Sequence, residues 1–189
     1  MLILGVDPGV HGALALVDTE RRVVLDCIDM PTVPLNSSYN VDGTVLGDWL
    51  DALVDRGTIW QLAIVEAVHA DAKWSKARCV TLGRLAGGAA AILSMHPQPV
   101  LHAAPVAWKR RAGLLKKDKA ASMAVAANTL RWPAGMLRLA SHHGRAEAAL
   151  IAVHGRAPER PAPAPRRSKK VERAMAENVP PGELFKVLG

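Results

Sequence analysis

The hydrophobic pattern of the first 30 residues predicts three short strands joined by tight turns. Apolar residues dominate LILGVD (residues 2–7), ALALVD (13–18) and RRVVLDCIDM (21–30). PGVHG, between the first two segments, contains the proline and glycines that form sharp turns. A short polar turn joins the second segment to the third. Because connections this short join antiparallel neighbours, we expect an antiparallel meander.

Helical and strand patterns alternate through the next hundred residues. Apolar residues at helical spacing predict a helix within VDGTVLGDWLDALVDRG (41–57). Its stripe contains Val45, Leu46, Trp49, Leu50, Leu53 and Val54. LAIVEAV (62–68) has no polar residue before Glu66, which is typical of a strand buried on both faces. PTVPLNSSYN (31–40), between the meander and the helix, is predicted to be a loop.

The second half of the chain predicts one more strand and several helices rich in alanine. PVLHAAP (99–105) is the fifth strand. The predicted helices lie in ARCVTLGRLAGGAAAILSM (77–95), VAWKRRAG, KKDKAASMAVAANTLRW and SHHGRAEAALIA (141–152). Together the elements indicate an α/β domain whose mixed five-stranded sheet, three antiparallel strands plus two parallel, is flanked by helices.

Composition separates this domain from the end of the chain. We expect the domain to span residues 1–155, since residues 156–189 open with a Pro-rich basic linker (RAPERPAPAPRRSKK) and end in a short tail. The two cysteines, Cys27 and Cys79, stand in unrelated contexts, which argues against a disulfide framework or a thiolate zinc site. With no membrane-length apolar run and no signal-peptide pattern, the sequence predicts a cytoplasmic protein without a membrane partner.

Charge is distributed unevenly along the chain. Residues 1–66 carry ten acidic and three basic side chains, whereas residues 67–155 carry three acidic and thirteen basic ones. The net charge of the whole chain is +7. The excess of basic side chains in residues 67–155 indicates that a polyanion binds one face of the protein. A basic helix surface exposed to solvent would explain the same excess.

Two acids stand at predicted strand ends. A right-handed crossover would place the fourth strand parallel to the first and beside it, which brings Asp7 and Glu66 to the same edge of the sheet. Two such carboxylates repel each other unless a cation lies between them or one is protonated. Mg²⁺ and Mn²⁺ prefer oxygen ligands of this kind. Two such ions, roughly 3.5–4 Å apart, could activate a water molecule and stabilise the leaving oxygen of a phosphodiester. The alternative is an Asp that caps a turn and a Glu that forms an ion pair.

His143 and Glu147 form a second candidate pair. Residues four apart share a helix face, so both side chains would project together. This spacing suits a metal site, but taken alone the pair favours a solvated or capping role near a helix start.

Four blocks in a fixed order carry a family resemblance: ILGVDPGVHGALALVD, IVEAVHA, PVAWKRRAGLLKKDKAAS and HHGRAEAALIA. Over about residues 1–155, the chain resembles the RuvC-type Holliday-junction resolvases, especially the short forms of phages and bacteria. The resemblance implies an RNase H-like fold, a homodimer, and divalent-metal hydrolysis of two symmetric strands at a four-way junction in DNA recombination and repair. It also implies a bacterial cell or a phage-infected host as the location.

The resemblance assigns metal-binding roles to Asp7, Glu66 and Glu147. A fourth acid normally precedes the last by three or four positions, where this chain has Gly144 and His143. His143 is therefore predicted to complete a site for Mg²⁺ or Mn²⁺, two ions per active site, or to act as a general base. A weakened or metal-shifted activity is the alternative.

The basic residues receive DNA-binding predictions. Lys119 and Lys109 match lysines that lie near the scissile phosphate in the family that the chain resembles. An ammonium group there would offset the negative charge that develops on the phosphate. Of the two, Lys119 is predicted to have the catalytic role. The remaining predicted DNA contacts are Arg110, Arg111, Lys116, Lys117, Lys73, Trp74, Lys76, Arg78, Arg84 and Arg145. Trp74 suits base stacking, and a dimer or core position equally well. Trp49, Trp60, Trp108 and Trp132 are predicted to be structural.

Three other functions compete with junction cleavage. A junction-binding protein with little catalysis would follow if His143 cannot replace the missing acid. A nuclease of the same fold acting on other branched DNA or on RNA–DNA hybrid is the second. An actin-like or sugar-kinase-type ATPase also has DPG after a first strand, but such enzymes need two lobes and a second phosphate loop, so we expect no nucleotide cofactor.

Overall fold

A computed structural model describes residues 1–36, 38–68 and 73–156 of the chain. The predicted tail, apart from Arg156, lies outside these residues. Within the described ranges, no helix is both long enough and apolar enough to cross a membrane.

Five strands form the central sheet: β1 (Leu2–Asp7), β2 (Ala13–Asp18), β3 (Val23–Asp29), β6 (Leu62–Glu66) and β7 (Val100–Ala103). They lie side by side in the order β3-β2-β1-β6-β7. β2 is antiparallel to both β1 and β3, whereas β6 is parallel to β1 and to β7. The predicted meander, the mixed sheet and the position of the fourth strand beside the first are therefore confirmed.

Helices cover both faces of the sheet. They are α1 (Gly43–Asp55), α2 (Lys76–Leu93), α3 (Pro105–Arg111), α4 (Lys119–Thr129) and α5 (His143–His154). Because side chains alternate along a strand, Ile3 of β1 enters one apolar core with α3, α4 and α5, whereas Leu4 and Val6 enter the other with α1 and α2. The domain is thus a three-layer structure with its sheet in the middle.

Helix α5 lies directly on β1. A Cβ atom at Gly5 would overlap the backbone carbonyl oxygen of Ala148. Only a residue without a side chain permits this approach. The contact fixes the position of α5, including Glu147, relative to the end of β1.

The prediction of a loop over residues 31–40 was wrong. Thr32–Leu35 (β4) and Ser38–Val41 (β5) form a separate antiparallel hairpin in which Pro34 is paired with Tyr39. Pro34 is tolerated because β4 is an edge strand, where a missing N–H breaks no ladder. The hairpin packs on α2, and the hydroxyls of Ser38 and Thr81 form a buried hydrogen bond of 2.9 Å.

Other boundaries differ from the predictions by a few residues. β3 begins only at Val23, because Arg22 adopts a left-handed φ of 55° in the preceding turn. β6 ends at Glu66 rather than at residue 68. On α1 the stripe is narrower than predicted, since Val45 and Val54 are 44% and 41% exposed.

Candidate active site

Asp7 and Glu66 are the last residues of two adjacent parallel strands, so they reach the same edge of the sheet. Both line a cleft of about 870 Å³. His143 and Glu147, on the first two turns of α5, line the same cleft. All four residues that the sequence singled out as metal ligands therefore line one cleft.

Asp7 is in an electrostatically unfavourable position. Burial, followed by the negative charges of Glu66 and Glu147, raises its pKa from 3.8 to about 7. The backbone N–H of Gly9 donates to Asp7 Oδ1 at 3.1 Å, which opposes this shift only in part. The cleft thus holds more negative charge than its surroundings compensate.

The other two carboxylates are held by neighbouring side chains. Trp108 Nε1 donates to Glu66 Oε1 at 2.8 Å, and Ser122 Oγ donates to Glu147 Oε1 at 3.0 Å. Lys109 Nζ lies 3.6 Å from the same oxygen of Glu147. These contacts orient the acids before any ligand arrives.

Trp108 and Ser122 were missed as site residues. Trp108, fully buried, was predicted to be structural, and its packing agrees, but its indole N–H also positions a carboxylate. One signal was available: each residue stands close to a singled-out lysine, in AWKRR and KKDKAAS.

His143 contacts Lys119 at the cleft. Lys119 Nζ lies 2.7 Å from His143 Nε2. Because an ammonium group only donates, Nε2 is the acceptor and carries no proton. Burial and the charge of Lys119 lower the pKa of His143, which favours this neutral form. Neutral imidazole is the form that ligates a metal or accepts a proton.

Gly144 explains why this chain lacks an acid three positions before Glu147. A Cβ atom at Gly144 would overlap the carbonyl oxygen of His11 in the turn after β1. No side chain fits there without moving that turn. Of the two positions at which the family has its fourth acid, only position 143 can therefore carry a side chain into the cleft.

The side chains at the cleft are of the types that bind a hard divalent cation, but their positions do not form a coordination site. Three carboxylates and a neutral imidazole are ligands that Mn²⁺ accepts, and the carboxylates suit Mg²⁺. Across residues 1–36, 38–68 and 73–156, no three His, Cys, Asp or Glu side chains are close enough together to hold a metal ion. The uncompensated charge at Asp7 is what such an ion would neutralise.

Several predicted DNA contacts also lie at the cleft. Lys109, Lys117 and Lys119 line it, as do Trp74 and Arg78. The Arg78 guanidinium lies 4.6 Å from the centre of the Trp74 ring in a cation–π contact. Five more predicted contacts are exposed outside the lining: Lys73, Lys76, Arg84, Arg110 and Lys116.

Two further predicted contacts already form hydrogen bonds with other residues of the protein. Arg111 donates from Nε and Nη2 to the carbonyl oxygens of His154 and Gly155, at the C-terminal end of α5. Arg145 donates to both carboxylate oxygens of Asp29, at 2.6 and 2.7 Å, and so ties α5 to β3. Both arginines stabilise α5, and their predicted contact with DNA stays a prediction.

Solved structures share this architecture. The structure of T. thermophilus RuvC in complex with a Holliday junction substrate matches with a TM-score of 0.53 and 17% identity, over 82% of this chain and 91% of that chain. The chain has the fold of RuvC. A second Thermus thermophilus RuvC structure matches with a TM-score of 0.54 and 16% identity, over 82% and 92% of the two chains. No protein-family model matches the sequence, and no curated protein sequence is significantly similar to it.

Proposed function

We propose that this protein is a metal-dependent endonuclease that resolves four-way DNA junctions by paired phosphodiester hydrolysis. The observation that carries the proposal is the convergence of Asp7, Glu66, Glu147 and His143 in one lysine-lined cleft, on the RuvC fold. The RuvC structure in complex with a Holliday junction substrate supports branched DNA as the substrate class.

Asp7, Glu66 and Glu147, with His143, would hold Mg²⁺ or Mn²⁺. When bound, such ions supply activation of water and charge stabilisation at the phosphate. Trp108 and Ser122 keep two of the carboxylates oriented toward the cleft. The unprotonated Nε2 of His143 is available to a metal or a proton once Lys119 shifts toward a phosphate.

Lys109 places an ammonium group beside Glu147, and Lys119 places one beside His143. Lys119 offers the charge that a phosphodiester oxygen needs as it becomes more negative. Lys117 and the exposed basic residues of α2 and α3 would hold backbone phosphates of the arms. Residues 1–155 would form the nuclease domain, working as a homodimer because two symmetric strands are cut.

The test is nicking of a synthetic four-way junction in Mg²⁺ or Mn²⁺. Asp7→Asn should abolish cleavage and leave junction binding intact. Asp18→Asn is the matched control, because Asp18 pairs with Leu2 and so lies at the opposite edge of the sheet. Duplex, flap DNA and RNA–DNA hybrid compete in the same assay and determine the preferred substrate. Metal-dependent cutting that survives in Asp7→Asn would disprove the assignment.

A catalytically weakened junction-binding protein is the second candidate, and one observation favours it. Lys109 forms an ion pair with Glu147, and Lys119 contacts His143. Among the described residues of the cleft, no three possible ligands are grouped so that they could hold a metal ion. In that case the protein binds the junction without cutting it in either metal, and His143→Asp restores cleavage. Gly144→Asp would not, because no side chain fits at that position.

A further inference from the structure

The two walls of the cleft belong to different layers of the domain. On one side lie His143 at the start of α5, Lys119 at the start of α4, and Lys117 just before α4. On the other side lie Tyr39 of the β4–β5 hairpin and residues at or just before α2 (Trp74, Arg78, Thr81 and Leu82). One wall therefore carries two lysines and a histidine, whereas the other presents two aromatic rings and Arg78.

Contacts of neighbouring residues fix the position of the Tyr39 backbone. Its neighbour Ser38 is 8% exposed and hydrogen-bonds Thr81, while Val41 packs in the core beside α2, close against Gly88. These two contacts fix the backbone on either side of Tyr39. Tyr39 itself is 40% exposed and lines the cleft.

An exposed ring on a fixed backbone beside acids and lysines is suited to bind a flat apolar surface next to a phosphate. A nucleobase released from its pair has such a surface, and stacking on an aromatic ring accepts any base. The cleft volume of about 870 Å³ falls within the range of clefts that accept small-molecule ligands.

We propose that Tyr39 is a base-stacking residue of the cleft, binding an unpaired nucleobase at the branch point while the adjoining phosphate lies against Lys117 and Lys119. This inference rests on the proposed function and adds a contact to it. Duplex DNA keeps its bases stacked on one another, so the contact is available only where pairing is broken. Tyr39 would accordingly contribute to the preference for branched over linear DNA.

The experiment measures binding of the full-length chain to a four-way junction carrying 2-aminopurine at the branch point. The Asp7→Asn background keeps the junction uncut. Tyr39→Ala should weaken junction binding about 5- to 100-fold and restore the fluorescence that stacking quenches, with duplex affinity unchanged. Tyr39→Phe should behave as the parent does, because the ring is retained. Val33→Ala is the matched control, since Val33 is 39% exposed on the same hairpin, pairs with Asn40 and lies outside the cleft lining.

A second measurement needs no substitution. The chain contains a single tyrosine, so nitration of tyrosine reports on Tyr39 alone. The junction should protect the ring, and a duplex of equal length should not. Equal junction affinities for Tyr39→Ala and the parent, or an equal loss in Tyr39→Phe, would overturn the inference while leaving the proposed function standing. A parent protein with no preference for the junction would overturn both.

Discussion

Replacing Asp7 with Asn should stabilise the metal-free protein while abolishing its proposed activity. The amide keeps an oxygen for the Gly9 N–H and removes the negative charge that burial, Glu66 and Glu147 oppose. A pKa raised from 3.8 to about 7 corresponds to roughly 4 kcal/mol at most, at about 1.4 kcal/mol per pH unit. Because Asp7 is only partly buried, water reduces this penalty, and we expect a gain of about 1–3 kcal/mol.

The sign of the effect follows from proton linkage. The folded-state pKa of Asp7 lies above its unfolded value, so its contribution to stability is complete below pH 3.8 and is lost as the pH rises to about 7. The free energy of unfolding of the Asn variant should equal that of the parent at pH 4 and exceed it at pH 8. Mg²⁺ or Mn²⁺ should reduce the difference, since a bound cation stabilises the ionised carboxylate.

Urea unfolding followed by circular dichroism at pH 4, 6 and 8 in EDTA measures this difference. Asp18→Asn provides a control of opposite sign, because backbone N–H groups, that of Arg21 first, lower the pKa of Asp18. That variant should be less stable than the parent at pH 8. A gain for Asp7→Asn that is absent, or equal at every pH, would refute the electrostatic account of the cleft.

Three further predictions concern the residues around these acids. Gly144→Ala should cost at least about 2 kcal/mol of unfolding free energy in a thermal or urea melt, because its methyl group overlaps the turn after β1; an unchanged melt would contradict the observed contact. Trp108→Phe keeps an aromatic ring, although a smaller one, and removes the hydrogen bond to Glu66, so kcat for junction cleavage should fall more than junction affinity does. Lys119→Gln removes a charge that lowers the pKa of His143, so the imidazole should titrate at higher pH by NMR, whereas Lys117→Gln should leave it unchanged.

The sheet and its acids were predictable because they depend on local patterns and short connections. Uninterrupted apolar runs identified β1, β2 and β6, and crossover handedness then placed Glu66 beside Asp7. The β4–β5 hairpin was not predictable by the same reasoning. Its Pro, Asn and Ser residues are typical of loops, and its stability comes from packing on α2 rather than from its own sequence.

Side-chain partners were the least predictable feature of the site. Arg145 and Asp29 are 116 residues apart, so sequence alone cannot distinguish an arginine paired with another residue of the chain from one free to bind phosphate. The same holds for Arg111 at the end of α5. The role of Gly144 depends on a backbone contact with the turn after β1, which no pattern of residue types predicts.

The two glycines at the contact between α5 and the β1 region have a consequence for how this domain tolerates change. Main chain touches main chain at Gly5 and Gly144, so the spacing between the Asp7 and Glu147 backbones is set without intervening side chains. Substitutions that enlarge or shrink the apolar interior should therefore alter the melting temperature and leave the separation of the acids nearly constant. The domain can accumulate interior variation while its cleft keeps one geometry.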